Sequence, residues 1–362
     1  MHGVWVPAFA GTTKRRITRA FAKVPRMIRR AFATLTLAAV LVWPAAAQER
    51  VVVATTRSLA NAVLFVGVEQ GHFKAEGLDV EMTAYASDQD VVEALAGGAP
   101  DMALAGFTAQ AFNLAGSGAI KAIAAQVREK ADYEGNDIVV SNYAFERGVR
   151  KLEDLGVASF ATFKLGTTMH YQLGQIARLK KFNVASMVLK PQDSLEAISR
   201  AVATGAVDAA ILPGNEARDL LIANQARLVG WYSEVDEAQL GALFASAKTI
   251  ENRRATVEKF LRAYRRAAAD YYTSFLRHDR FGKRMSNAKS RELAGKIARY
   301  VFPGRAATSV AAGVAAEAGI YYMDREARLD AADIARQVAW YQSQNLVNKS
   351  VDARSIVDAS FK

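Results

Sequence analysis

The stretch Glu93-Ala94-Leu95-Ala96-Gly97-Gly98-Ala99-Pro100-Asp101-Met102-Ala103-Leu104 returns later in the chain. It reappears as Arg200-Ala201-Val202-Ala203-Thr204-Gly205-Ala206-Val207-Asp208-Ala209-Ala210-Ile211. Gly205 follows Gly98, and Asp208 follows Asp101, at the same offset (205 less 98, 107 residues). Upstream, Phe182 follows Phe73 and Thr167 follows Ser58, each at an offset of 109 (182 less 73). The repeated unit reads strand, helix, strand, helix, Gly turn, Asp, strand. Glycine gives the left-handed exit from the second helix without steric penalty. A unit repeated in order implies two similar lobes built from one pattern, with a cleft between them.

The local patterns agree. Val51–Ala54 predicts a buried strand, and Leu59–Gln70 a helix stopped by Gly71. Strands are predicted at Leu78–Met82, Met102–Ala105 and Ile120–Gln126, with helices at Asp88–Ala96 and Phe107–Leu114. Strands alternating with helices predict an α/β fold with a largely parallel sheet. After Ala242 the pattern turns helical. Glu251–Leu276 carries Val257, Phe260, Leu261, Tyr264 and Ala268 on one face, and Arg291–Val301, Ala306–Ala318 and Ala331–Gln344 follow. This tail is expected to pack across the first lobe.

The net charge of +11 invites a polyanionic partner until it is divided along the chain. Eight of the 47 basic residues fall within residues 1–47, which hold no acid; 47 less 8 leaves 39 against 36 acidic residues, or +3. The body is close to balanced, and nucleic acid is not expected as a partner. The leader has the order of an export signal. Arg29-Arg30 precedes the apolar run Ala31–Trp43, and Ala45-Ala46-Ala47 offers a cleavage site before Gln48. The run is shorter than the ~20 residues a membrane span requires. Cleavage is expected after Ala47, giving a periplasmic protein. Arg29-Arg30 also hints at a twin-arginine signal, but two arginines are common in any such basic region, and a general secretory signal is favoured. Residues 1–26 fit neither, and Met27 is expected to be the true start.

Several chemistries have no footing in the sequence. Absence of cysteine excludes disulfides, thiolate metal sites and a lipidated N-terminal cysteine. The histidines His2, His72, His170 and His278 have no metal-binding spacing. No phosphate loop, dinucleotide fingerprint or nucleophile elbow occurs. Neither catalytic residues, a metal nor a cofactor is expected, and binding is favoured over catalysis.

Ligands of open α/β sheets sit beyond the carboxyl ends of strands, at helix starts. Ser58 and Asn61 follow the first strand, Phe107 and Thr108 the third, and Thr167, Thr168 and His170 open the matching helix of the second lobe. Hydroxyl caps and free backbone N–H groups at such places suit a carboxylate, sulfonate or nitrate; the same hydroxyls also serve as ordinary helix caps. Phe107, Tyr85 and His170 are candidate pocket walls, Arg57 a candidate counter-charge. Asn215, after Pro213-Gly214, is the second lobe's counterpart of Gly106–Thr108.

These stretches resemble the nitrate/sulfonate/taurine class of ABC-transporter substrate-binding proteins. Val66–Glu81, with Gly71-His72-Phe73 and Glu76-Gly77-Leu78-Asp79-Val80-Glu81, is similar to that family's Gly-x-Phe-x-x-Glu-Gly-Leu-Asp-Val-Glu stretch. Glu93–Leu104 and Ala201–Ile211 resemble its two copies of an Ala-Leu…Gly…Asp element, Lys151–Leu155 the start of its second lobe, and Ala255–Tyr264 one of its helices. The resemblance implies a two-lobe type II periplasmic binding protein (Venus-flytrap) fold with a two-strand hinge and a helical C-terminal tail. Lobe one would be 50–138 plus 241–362, and lobe two 139–240. The implied role is to bind a small anionic solute in the cleft as a monomer and deliver it to a membrane permease driven by an ATPase. Ser58, Asn61, Phe107, Thr108, Thr167, Thr168, His170 and Asn215 would contact the ligand. Two alternatives share the fold: a pyrimidine-precursor binder or enzyme, and a periplasmic sensor for a signalling partner. The related precursor-synthesising enzymes carry a cysteine-rich motif, which this chain lacks.

Overall fold

Strands β1 (Glu49–Thr56), β2 (Leu78–Tyr85), β3 (Met102–Gly106) and β4 (Ile120–Ala125) alternate with helices, then the chain crosses over. A second series follows: β6 (Asn136–Ser141), β7 (Phe160–Thr162), β8 (Leu189–Pro191), β9 (Ala209–Pro213) and β10 (Ala226–Trp231). The chain then returns through β12 (Gly241–Ser246). The computed structural model describes residues 48–303, 317 and 319–361, which belong to one compact unit. The expected export leader, and all but Glu317 of the expected helix Ala306–Ala318, fall outside the described residues.

The two sheets have matching topology. One has the order β2-β1-β3-β12-β4, and the other, taken from its far edge, β8-β7-β9-β6-β10. In each, the first three strands are parallel, and the strand that arrives by crossover runs antiparallel beside them. β3 and β9, the echoed strands, are buried along their whole length. That is the pattern expected of strands covered on both faces. Gly98 and Gly205 both take positive φ, +79° and +72°, where a Cβ would be strained.

The two crossings meet. β5 (Arg128–Glu129) and β11 (Ala238–Gln239) pair antiparallel, Glu129 opposite Ala238, and form the expected two-strand hinge. The division expected at 138/139 falls inside β6, which pairs with β9 from Asn136 onward.

The expected helix Glu251–Leu276 is three pieces: Ala247–Asn252, Arg254–Tyr271 and a wider π turn at Tyr272–Leu276. The first break is at Arg253, whose guanidinium pairs with Asp101 and Glu49. Val257, Phe260, Leu261, Tyr264 and Ala268 are buried in the core beneath the first sheet, as their spacing predicts. Burying each of the larger ones contributes about 1.5–3 kcal/mol.

The last helix, Ala331–Ser343, does not stay with the first lobe. Trp340 packs edge-on against Tyr171 and His170 of helix Thr168–Lys180, over Gly174, whose missing side chain makes the room. Tyr341 Oη lies 3.1 Å from Phe107 O and 2.9 Å from Thr167 O, a donor shared between the two halves. The expectation that the tail packs across the first lobe therefore holds for Arg254–Tyr271 and fails for Ala331–Ser343, which straps both.

Candidate ligand-binding cleft

Between the sheets lies a cavity of about 700 Å³, a volume suited to a small molecule. Its walls come from strand ends and helix starts of both halves. Thr56, Arg57 and Ser58 lie at the end of β1 and just past it, Tyr85 to Asp90 likewise at the end of β2, and Gly106 and Thr108 at the end of β3. From the other half come Phe163 and Lys164, Thr167 to Met169, Gln192 to Leu195 and Pro213.

The expected hydroxyl residues converge here. Ser58 Oγ accepts the Ala60 N–H at 3.2 Å, and Thr108 Oγ1 accepts that of Ala111 at 3.1 Å. Both are helix caps within the cavity wall. Thr167 and Thr168 also line it, but Thr167 makes no side-chain cap. Its Oγ1 is buried and has no hydrogen-bond partner.

The other four expected contacts stand behind the wall. Phe107 is fully buried, stacked on Phe112 at 5.2 Å and edge-on to Phe244 at 6.0 Å. Extended backbone alternates its side chains, so Gly106 and Thr108 face the cavity and Phe107 faces the core. Asn61 is buried; its Nδ2 donates to the Thr56 carbonyl at 3.0 Å, and its Oδ1 accepts from Gln126 Nε2 at 2.6 Å. It therefore positions two wall residues. His170 is buried with Nδ1 accepting the Gly166 N–H at 3.2 Å, and burial holds its pKa below the usual imidazole range. Asn215 is buried beside Gly319, its Nδ2 donating to Glu216 Oε1 at 3.0 Å. Tyr85 and Arg57 do line the cavity.

The floor was not anticipated. Gln126, Asn136 and Tyr321 reach it from the hinge and the C-terminal segment. Tyr321 Oη donates to Asn136 Oδ1 at 2.7 Å, and Asn136 Nδ2 to Gln172 Oε1 at 2.9 Å. Gln172 Nε2 then donates to Glu129 Oε1 at 2.9 Å. Glu129 is fully buried at the hinge. Burial pushes its pKa up to about 8, against the pull of the Asn136 N–H and Gln172, while the Asp137 charge adds to the rise. Asp137 is raised to about 7, again chiefly by burial.

Asp88 is the other unanticipated wall residue. A Cβ placed on Gly106 would stand 2.6 Å from Asp88 Oδ2 and 2.8 Å from Thr168 Oγ1. Carboxyl and hydroxyl therefore flank one point between the halves, which only glycine leaves open. Burial pushes the Asp88 pKa up to about 6, with the Gly106 N–H pulling it down. The repeat held a signal for this segment: Ser87 and Ser194, again 107 residues apart (194 less 87), cap equivalent helices and both line the cavity. Among the described residues no group of acids and histidines is arranged to hold a metal, and no helix is long and apolar enough to cross a membrane.

A family model described as "NMT1/THI5 like" matches residues 60–274. No curated protein matches the chain by sequence. Solved structures do match in fold. The periplasmic aliphatic sulphonate binding protein SsuA from Escherichia coli superposes with a TM-score of 0.64 at 16% identity, over 85% of this chain and 97% of its own. The alkanesulfonate-binding protein SsuA from Xanthomonas axonopodis pv. citri, bound to MOPS, gives 0.63 at 18% identity, over 86% and 98%. The desulfurization enzyme DSZB gives 0.59 at 14% identity, over 86% and 97%.

Proposed function

Since the chain belongs to the NMT1/THI5-like family and has the two-lobe periplasmic-binding-protein fold, we propose that it is the solute-binding component of an ABC importer. It takes a small anionic organic solute into the cleft between its lobes and presents the closed form to a membrane permease. Export after Ala47 and a periplasmic location belong to this reading. So do lobes divided at the β5–β11 crossing, with 139–240 in lobe two and the first boundary drawn ahead of Asn136.

The observation that carries the proposal is Thr167. Its hydroxyl is buried in the cleft wall without a partner, at the start of a 13-residue helix whose N-terminal end carries positive partial charge. Leaving a buried hydroxyl unpaired is costly, and an anion in the cleft would accept from it. Ser58, Thr108 and Thr168 stand around the same space. Binding to both lobes would favour the closed state by differential affinity alone, without covalent chemistry.

The sulfonate-binding fold relatives support the solute class, while the desulfurization enzyme keeps catalysis on this fold in view. This chain has no cysteine, so an enzyme built on a thiol is excluded. The test is a thermal-shift and calorimetric screen of alkane sulfonates, nitrate, carboxylates and aminopyrimidines on the purified protein without its leader. A bound solute raises Tm with concentration. Sulfonates, nitrate and carboxylates that all leave Tm unmoved and give no heat would sink the anion reading; turnover of a bound compound would sink the non-enzyme reading.

A further inference from the structure

We infer that the hairpin at residues 277–285 docks on an anionic lipid bilayer, Phe281 entering the headgroup layer while Arg277, Arg280 and Lys283 meet lipid phosphates. This goes beyond solute binding and uses no residue of the cleft.

The near-balance of charge over the body conceals a local excess. Residues 277–299 hold eight basic side chains against two acids, Asp279 and Glu292, or +6 (8 less 2). The rest of residues 48–362 is then −3 (31 basic less 34 acidic). Arg253, Arg262 and Arg336, on other parts of the surface, each meet a carboxylate. Within 277–299, Lys296 takes Glu292 and Arg299 takes Glu69. Arg277, Arg280, Lys283, Lys289 and Arg291 are exposed, and among the described residues none of them forms an ion pair. Residues 304–316 contain no acid that could serve them.

The hairpin is held by its own backbone. The Asp279 N–H donates to Lys283 O at 2.9 Å, and the Met285 N–H to Arg277 O at 2.8 Å. Gly282 takes φ +76° in the turn. The carboxylate of Asp279 is occupied locally: its Oδ1 accepts the Phe281 N–H at 2.8 Å and the Lys283 N–H at 3.0 Å. The base is anchored to the body. His278 stands edge-on to Tyr133 at 4.9 Å, and Arg284 donates to the Glu317 carbonyl at 2.8 Å. Asp132, Glu134 and Glu234 line a cavity at that base with His278, Gly282 and Arg284, without an ion pair to the tip. The tip itself is left in water: Phe281 is 78% exposed and Met285 43%, and the Arg280 guanidinium lies 4.7 Å over the Phe281 ring.

Either feature alone is ordinary surface, since single exposed apolar residues are common and a cationic run is usually solvated. Together they fit one class of partner. An acidic protein face would pair with the cations and leave Phe281 in water. A bilayer containing anionic lipid takes both, with phosphates at its surface and apolar volume just beneath. The turn is already ordered, so docking has little conformational entropy to overcome. One aromatic ring and a few cations give reversible adsorption rather than a permanent anchor.

The test is co-sedimentation of the mature chain, residues 48–362, with vesicles that hold lipid and no protein. Vesicles of phosphatidylglycerol and phosphatidylethanolamine are compared with vesicles of phosphatidylcholine, at low salt and at about 1 M salt, where the screening length is ~3 Å. The expected result is binding to the anionic vesicles alone, lost at high salt. It should be at least about tenfold weaker in Phe281→Ser and in the double variant Arg280→Glu, Lys283→Glu. The substituted side chains are exposed, so Tm should stay at the wild-type value; a variant that unfolds early is replaced by Phe281→Ala or Arg277→Glu under the same criteria. A wild type that binds neither vesicle overturns the inference and leaves the importer reading untouched. Equal binding to neutral vesicles overturns it, as does anionic binding that persists in both variants. Binding that poly-glutamate abolishes and Phe281→Ser leaves unchanged overturns it too, and assigns the tip to an acidic protein face.

Discussion

Asp101 and Asp208 do the same work in the two sheets. Asp101 Oδ2 accepts the Val52 N–H at 2.9 Å while its own N–H donates to Val52 O at 2.9 Å. Asp208 Oδ2 accepts the Ser159 N–H at 2.8 Å while its own N–H donates to Ser159 O at 3.1 Å. Each acid also takes an arginine, Arg253 for Asp101 and Arg147 for Asp208. The aspartate after the Gly turn thus ties the start of one strand to the neighbouring chain, and the repeated sequence repeats the tie.

Asp208→Ala should therefore destabilise the protein without touching the cleft. It strips an acceptor from the Ser159 N–H and hydroxyl, and hydrogen bonds to a charged group are worth about 1.5–3 kcal/mol each. A net loss of about 2–3 kcal/mol in urea unfolding is expected, with ligand affinity unchanged. Burial raises the pKa of Asp208, but Ser159 and Arg147 outweigh it and hold the group below the usual carboxylate range. Its contribution is thus present above the unfolded carboxylate range and fades as pH falls through the lowered value. The gap between wild type and variant should narrow in strong acid, and a gap that widens there would contradict the role.

Thr167→Val should separate binding from stability. The exchange keeps the branched shape and removes a hydroxyl that has no protein partner. Removing an unpaired buried polar atom is neutral or stabilising, so Tm should hold or rise. Affinity for the bound solute should fall about tenfold, the equivalent of ~1.4 kcal/mol. The double variant Thr167→Ala, Thr168→Ala should likewise weaken binding far more than it lowers unfolding stability. Unchanged affinity in both would remove the helix start from the site.

The repeat made the doubled sheet legible because its landmarks are backbone requirements: a positive-φ glycine, an acid tied to the next strand, a hydroxyl at a helix start. Ser58, Thr108, Thr167 and Thr168 reach the cleft for the same reason, since helix caps are local. Phe107 faces the core and not the cleft: an aromatic beside a helix start has two faces available, and only the alternation from Gly106 decides between them. Gln126, Asn136 and Tyr321 carried no local signal at all. They meet through the hinge and the C-terminal segment, across 185 residues in the Tyr321–Asn136 pair. By position Asp88 is a first-turn helix acid, and only the approach of Gly106 and Thr168 gives it a different setting.

Gly174→Ala tests the strap formed by the last helix. In an open helix this exchange stabilises by up to ~1 kcal/mol. Here the added methyl would run into the Trp340 indole, which packs among Tyr171, Tyr341 and His170. Overpacking costs about 1–3 kcal/mol, so the clash should win and lower Tm. Stabilisation by Gly174→Ala would mean that Trp340 does not rest on this helix in solution.

Glu129→Gln should flatten the dependence of stability on pH. In the folded protein Glu129 holds its proton up to about pH 8, against an ordinary value of 4.5, because it is buried beneath the hinge. The folded state therefore binds more protons than the unfolded state between those values. By linkage, stability is full below pH 4.5 and falls as pH rises toward 8, by at most ~1.4 kcal/mol per pH unit for this one proton. Asp137, raised to about 7, adds a smaller fall of the same sign over about pH 4 to 7. Glutamine keeps a carbonyl oxygen to accept from the Asn136 N–H and Gln172, and it cannot ionise. Urea midpoints at pH 5, 6, 7 and 8 should decline steeply for the wild type and more gently for the variant, the two diverging most at pH 8. Parallel declines would show that Glu129 is already solvated at the hinge, and that the chain from Glu129 through Gln172 and Asn136 to Tyr321 does not form the closed floor of the cleft.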